Sequence, residues 1–390
     1  MSLAIIDARE WQNMFDLETG RKRSAEGLLV SSVRKVLHNN PYPGDVARGT
    51  RLNANQWVTD TALDLIGKLD PDFAVLSYAG QYFSLRHFDH SRKERENLLK
   101  GTMNQVNDFL EKSGFIPVIV STGLLTKLKG RIDLSSLSGL AVSSNWSAMY
   151  CGIHSATKGD IKYLKGIKEI RHIVSKDEWL NLFKSRQDNL DLPGEDALMP
   201  DFLCVAQKGY AFKTMGITLR EPVNVPDSNF KVPVYTPLGE VDDIRSIREL
   251  ILSGLKKERK GKIALILVEG MEADYFPNGY FLCNNGEAWF CNEAADSFYL
   301  TLSTGKYQVF AYPAGYRSFD RDEEQIKFPF SGYFTKVPEN TIASDQSLNS
   351  IAVGNRSMFM HMAFGVDVSI ECFARNLFNQ GLLAVIKDII

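Results

Sequence analysis

The densest gathering of groups able to do chemistry is Arg86-His87-Phe88-Asp89-His90. Two imidazoles and a carboxylate this close together offer the nitrogen and oxygen donors that zinc or manganese accepts, so His87, Asp89 and His90 are candidate ligands for a divalent metal. Arg86, Arg92 and Lys93 oppose a metal charge and leave open the plainer reading of a polar loop or helix cap. Two more carboxylates end short apolar runs: Asp7 after Ala4-Ile5-Ile6, and Glu269 after Ile266-Leu267-Val268. A carboxylate at a strand tip can ligate a metal, act as a base, or simply cap a turn. His361, within Met358-Phe359-Met360-His361-Met362, can join such a set or move a proton, although a histidine among apolar neighbours also suits a core position.

A second group of residues suits anions. Ser121-Thr122-Gly123 places hydroxyls and backbone amides where an apolar run ends, with Lys127 and Lys129 close behind. Arg356 carries a fork of donors that matches a phosphate or carboxylate. Arg86, His87, Ser121, Thr122 and Arg356 therefore form the candidate set for a phosphorylated ligand or nucleotide. The chain has no Gly-x-Ser-x-Gly elbow, no phosphate-binding Walker loop, no Cys-x-x-Cys and no His-Glu-x-x-His, which argues against several large enzyme classes.

These residues must be held by elements that the pattern also indicates. Apolar, β-rich Phe73–Tyr78, a charged helix Arg92–Ser113 and apolar Pro117–Ser121 read as a β-α-β unit with parallel strands. Ligands gather at the carboxyl ends of such strands, here near Tyr78 to Asp89 and Ser121 to Leu125. Further strands are expected at Leu3–Ile6, Gly139–Val142, Phe202–Ala206 and Tyr210–Lys213. Helices are expected at Ala25–Leu37, Thr59–Leu69, Gly159–Leu164 and Lys176–Ser185. Residues 1–255 thus read as an α/β domain with a mostly parallel sheet flanked by helices. The charged stretch Gly254–Lys262 reads as a helix end and connection. Residues 263–390 read as a β-rich C-terminal region, with hairpins over 280–291 and 298–312, that ends in helices at Ile370–Phe378 and Leu382–Ile389.

Composition narrows the partners. At 390 residues and 44% hydrophobic content the chain can bury enough core for two domains. Forty-seven acidic against 45 basic residues leave a net charge of −2, so nothing draws it globally to nucleic acid or an anionic membrane. The chain lacks a long apolar run and a basic-then-apolar leader, and a cytoplasmic location is expected. Five widely spaced cysteines point to buried thiols rather than a disulfide framework or zinc site.

From Trp57 to Phe212 the order of elements resembles the alkaline phosphatase superfamily, in its type I phosphodiesterase and nucleotide pyrophosphatase branch. The residues carrying this are Thr59-Asp60-Thr61-Ala62-Leu63, Pro71-Asp72-Phe73, the expected loop Ser84–Ser91, and Val118-Ile119-Val120-Ser121-Thr122-Gly123. Pro200-Asp201-Phe202-Leu203-Cys204-Val205-Ala206 with Gly209-Tyr210-Ala211-Phe212 is similar to a strand pair of that branch. The resemblance implies a two-metal phosphoester hydrolase, but it is degenerate. Thr122-Gly123 stands where the family carries a metal-binding Asp-His, and no histidine lies between His172 and His361. Ala264-Leu265-Ile266-Leu267-Val268-Glu269-Gly270, which resembles the family's opening strand, follows the matching region, so the order is permuted or the chain rebuilt. Thr301-Leu302-Ser303-Thr304-Gly305 resembles the helix after the family's nucleophile, yet its alternation and glycine favour a hairpin.

Three functions are compatible with these residues, and whether the chain is an enzyme stays open. The first is a phosphoester- or nucleotide-binding protein with an incomplete metal site and little of the usual catalysis. The second is a metal-dependent phosphodiesterase or phosphatase with a rearranged ligand set drawn from Asp7, His87, Asp89, His90, Glu269 and His361. The third is an assembly or scaffold protein, in contact with a protein partner or a second copy through its C-terminal region.

Overall fold

The computed structural model describes residues 4–7, 14–16, 21–22, 35–43, 52–143, 149–178, 181, 200–213, 222–227, 231–257, 261–285, 298, 301–302, 305, 368–372 and 382–385. Strands β1 (Ala4–Asp7), β2 (Met14–Asp16) and β3 (Arg21–Lys22) come first. Helix α1 (Leu52–Leu69), β4 (Phe73–Tyr78), helix α2 (Gly80–His87), helix α3 (Arg92–Ser113) and β5 (Ile116–Ser121) follow. Next come β6 (Leu125–Lys127), β7 (Gly130–Ile132), β8 (Leu140–Ser143), β9 (Tyr150–His154), helix α4 (Lys158–Lys165) and β10 (Ile170–Ser175). After them run β11 (Phe202–Ala206), β12 (Tyr210–Phe212), β13 (Asn224–Pro226) and β14 (Lys231–Tyr235). Helix α5 (Ile247–Lys257), β15 (Ile263–Val268), β16 (Phe281–Asn284), β17 (Val368–Glu371) and β18 (Leu382–Val385) come last.

All six residues of β4 and all six of β15 are buried, as sequences that are apolar throughout, save for Ser77 in β4, require of strands covered on both faces. They lie parallel and adjacent, with Ile263 opposite Phe73 and Val268 opposite Tyr78. β5 flanks β15 and β17 flanks β4, again in parallel. This four-strand centre belongs to a ten-stranded sheet of order β16-β14-β5-β15-β4-β17-β18-β1-β2-β3, whose other pairings are antiparallel. The sheet is therefore mixed, which corrects the expectation of a mostly parallel one. The β-α-β reading captures only the parallel centre of β5, β15, β4 and β17, whereas the strands added outside it, β14 beside β5 and β18 beside β17, run antiparallel.

Helices cover both faces. Helix α3 begins at a capping box in which Ser91 and Glu94 bond each other's backbone amides, and ends at Gly114 with φ of 69°. Its buried Leu98, Leu99, Met103, Val106 and Phe109 share one core with Trp57, Val58 and Leu65 of α1 and with alternate residues of β4 and β15. Helix α5 packs on the other face. Gly254 permits this approach, since a Cβ there would sit 2.8 Å from the Ile263 side chain.

Residues 124–230 leave the sheet after β5 and return to it as β14, which runs antiparallel to β5. This insertion has a four-stranded antiparallel sheet of order β10-β11-β9-β8 and a core of its own around Cys151, Ile153, Leu164, Cys204 and Phe212. Its entry β6 and exit β13 pair with each other to form a neck. The neck rests on α2, where Val223 N–H donates to Arg86 O at 2.7 Å and the Asn224 amide donates to Leu85 O.

Several expectations change. Ile370 and Glu371, the start of the helix expected at Ile370–Phe378, and Leu382–Val385, the start of that expected at Leu382–Ile389, are strand, since short apolar runs take the form of their neighbours and β17 pairs along β4; the remainder of both, 373–378 and 386–389, lies outside the described residues. Phe298, Thr301 and Leu302 are helical where a hairpin strand was expected. Phe298 and Leu302, four apart, are both fully buried, and Gly305 N–H donates to Thr301 O at 3.0 Å. Part of the expected loop Ser84–Ser91 is the end of α2. β16 pairs with β14, and the second half of its expected hairpin lies outside the described residues. So do most of the helices expected at 25–37 and 176–185.

Candidate functional site

β4, β5, β15 and β17 end at Tyr78, Ser121, Val268 and Glu371, and their parallel register brings these ends side by side. The chain segments just beyond them are tied by side chains. Ser121 donates its hydroxyl to Met271 O at 2.7 Å and accepts from Gly123 N–H at 3.0 Å. The Thr122 hydroxyl accepts Gly270 N–H at 3.1 Å. The two hydroxyls expected to cradle an anion thus hold the turn after β15 against the turn after β5.

A buried polar network underlies α2. Asn55, on α1, donates its amide to Gln81 Oε1 at 2.9 Å and to Thr102 Oγ1 at 3.1 Å, and accepts Gly80 N–H at 2.9 Å. The Cys372 thiol also donates to Asn55 Oδ1 at 3.3 Å. Gln81 donates to Tyr78 O at 2.9 Å and to Glu269 O at 2.6 Å. One amide side chain therefore joins the ends of β4 and β15 to the start of α2, with α1 and α3 locked behind it. Beside it, the Tyr78 hydroxyl meets Thr59 Oγ1 at 2.9 Å, and burial holds its proton well above the usual phenol range despite that hydrogen bond. The sequence signal for this network was only a pair of polar residues, Asn55 and Thr59, on the apolar face of a helix.

Arg86 lies on the last turn of α2 and is 4% exposed. Its guanidinium donates to Tyr82 OH at 2.7 Å and its carbon lies 5.8 Å from the centroid of the same ring. Among the described residues it forms no ion pair with a carboxylate. The Tyr82 ring in turn rests on Gly270, whose φ is 67° and where a Cβ would lie 3.2 Å from Tyr82 Cδ2. Arg86, Tyr82, Gly270 and Thr122 are thus linked by successive contacts at the carboxyl end of the sheet. Arg95 closes the side of the cluster, pairing with Glu272 at 2.6 Å and donating to Leu125 O in the neck at 3.1 Å.

The expected metal ligands take up separate tasks. His90 Nε2 is 3.0 Å from Ser84 Oγ. Asp89 is largely exposed and faces Lys127 at 3.5 Å, a screened pair of little energetic weight. His87 is half-buried at the end of α2, and Glu269 is fully buried with its backbone N–H on Tyr78 O at 3.0 Å. Asp7 lies on β1, with β18 and β17 between it and β4. Arg356 and His361 lie outside the described residues. Among the described residues no three His, Cys, Asp or Glu side chains are grouped to hold a metal ion. No described helix is long and apolar enough to cross a membrane.

In comparisons with family models, curated proteins and solved structures, none matches this chain, and a functional reading therefore rests on the geometry alone.

Proposed function

We propose that the chain binds a phosphoester or nucleotide at the carboxyl ends of β4, β5 and β15, with Arg86 taking the phosphate charge. One observation carries this reading: a guanidinium 4% exposed, with a tyrosine hydroxyl as its hydrogen-bond acceptor and no carboxylate partner among the described residues. A buried charge without a counter-ion costs several kcal/mol, so proteins rarely keep one that serves no anion. The planar fork of arginine bonds two oxygens of a phosphate at once, and the strand ends are where a sheet of this kind presents ligands. His87 on the same helical turn, and the turn Ser121–Gly123 fixed against Gly270, would border the bound group. The reading involves binding alone, because no metal-ligand cluster accompanies Arg86 among the described residues.

Isothermal titration with ATP, AMP, inorganic pyrophosphate and bis(p-nitrophenyl) phosphate tests it. Binding of at least one probe, weakened tenfold or more by Arg86→Met and by added salt, is expected. No heat with any of these probes, or equal affinity in the variant, would reject the reading.

A further inference from the structure

β9 and β11 run antiparallel with Leu203 opposite Gly152, Cys204 opposite Cys151, and Val205 opposite Tyr150. Ala206 N–H donates to Met149 O at 2.8 Å. Hydrogen-bonded pairs alternate along such a ladder, so Cys204 and Cys151, two residues along, form the next one, with Cα atoms about 5.5 Å apart. Disulfides span Cα separations of roughly 4.4–6.8 Å. Directly opposed residues project from the same face of a sheet, and here both thiols enter the insertion's core beside Ile153, Leu164 and Phe212. Both are buried. The other two described cysteines have different surroundings: Cys283 stands opposite Val232, and Cys372 donates to Asn55.

We propose that Cys151 and Cys204 are an oxidisable pair that forms a cross-strand disulfide and staples β9 to β11 within the insertion. With hydrogen peroxide as oxidant, one thiolate attacks an oxygen, the O–O bond breaks, and a sulfenic acid and hydroxide result. The second thiolate then attacks that sulfur, the S–O bond breaks and a second hydroxide leaves, and the two protons released by the thiols turn both hydroxides into water. Both thiols have lost their protons, two electrons have passed to the peroxide, and one S–S bond has formed. Burial pushes the Cys204 thiol up to about 12, so the reaction proceeds through openings of this small sheet and is slow in the closed form. The bridge closes a loop containing α4 and β10, which restricts the unfolded insertion and raises its resistance to unfolding. An antiparallel hydrogen-bonded pair must shear slightly to bring its sulfurs together, so the bridge is readily reduced again.

The full chain is treated with hydrogen peroxide, unfolded in the presence of an alkylating agent, and mapped by non-reducing peptide mass spectrometry. A linked peptide pair carrying Cys151 and Cys204, removed by dithiothreitol and absent from Cys151→Ala and Cys204→Ala, is the expected result. The oxidised wild type should also melt a few degrees higher than the reduced form. Both cysteines alkylated after peroxide, or disulfides formed instead through Cys283, Cys291 or Cys372, would overturn the proposal. The wild-type map decides this even where a variant fails to fold.

Discussion

Replacing Arg86 by methionine should make the ligand-free protein more stable while removing its affinity for phosphate. The side chain is 4% exposed, so the folded state bears most of the cost of stripping water from a guanidinium, several kcal/mol after relaxation. Two contacts offset it. The hydrogen bond to Tyr82 OH at 2.7 Å contributes about 1.5–3 kcal/mol, being made by a charged donor. The approach to the same ring adds about 1 kcal/mol. Methionine keeps an unbranched stem and fills much of the space without a charge, so the net expectation is a gain of about 1–2 kcal/mol, in line with replacements of buried ions by apolar residues. Urea unfolding in phosphate-free buffer measures this as a higher midpoint at unchanged slope. A saturating ligand should reverse the order, since a hundredfold excess over Kd stabilises the wild type by about 2.7 kcal/mol and the variant not at all. Loss of more than about 1 kcal/mol in Arg86→Met without ligand would refute the claim of an uncompensated buried charge. Equal stabilisation of both proteins by ligand would refute its role in binding.

Three further outcomes follow from the same geometry. Asn55→Leu should cost about 2–4 kcal/mol by urea unfolding, because Gly80 N–H loses its acceptor and Thr102 and Gln81 lose a donor inside the core; a loss below 1 kcal/mol would mean the network carries little weight. Gly270→Ala should destabilise by about 1–2 kcal/mol, through its φ of 67° and the contact with Tyr82 Cδ2, and should weaken phosphate-probe binding as Tyr82 shifts under Arg86; unchanged binding with lowered stability would separate Gly270 from the site. His154 and His172 are held below the usual 6.5 chiefly by burial, opposed at His154 by Asp201 and reinforced at His172 by Arg171. Their contribution to stability is therefore complete above pH 6.5 and is lost as pH falls from there through their folded values. NMR titration should place both midpoints below 6.5, and His172→Gln should flatten the acid limb of the stability curve.

What the sequence by itself determined is local. Phe73–Tyr78, Arg92–Ser113 and Phe202–Ala206 coincide with β4, α3 and β11, because an unbroken apolar run and a repeat of three and four residues constrain the backbone within their own length. Glu269 and the pair Ser121-Thr122 were legible as strand-end residues for the same reason, and Arg86 as a charge just beyond β4. Tertiary structure alone decided the rest. Val368–Glu371 is too short to declare its own form, and it became a strand by pairing with β4 across almost the whole chain. Phe298 and Leu302 alternate with neighbours in a way that suits a strand, yet their four-residue spacing served a helix once both were buried. Asp89, His90 and Glu269 read alike in one dimension as possible ligands, but only the tertiary structure gives Asp89 an exposed ion pair, His90 a contact with Ser84 and Glu269 complete burial. Whether Arg86 would sit in water or in the core, and that Cys151 would face Cys204, depended on which segments meet across the sheets. Burial and pairing are properties of contacts between distant segments, and no periodicity in a single run of residues encodes its partner.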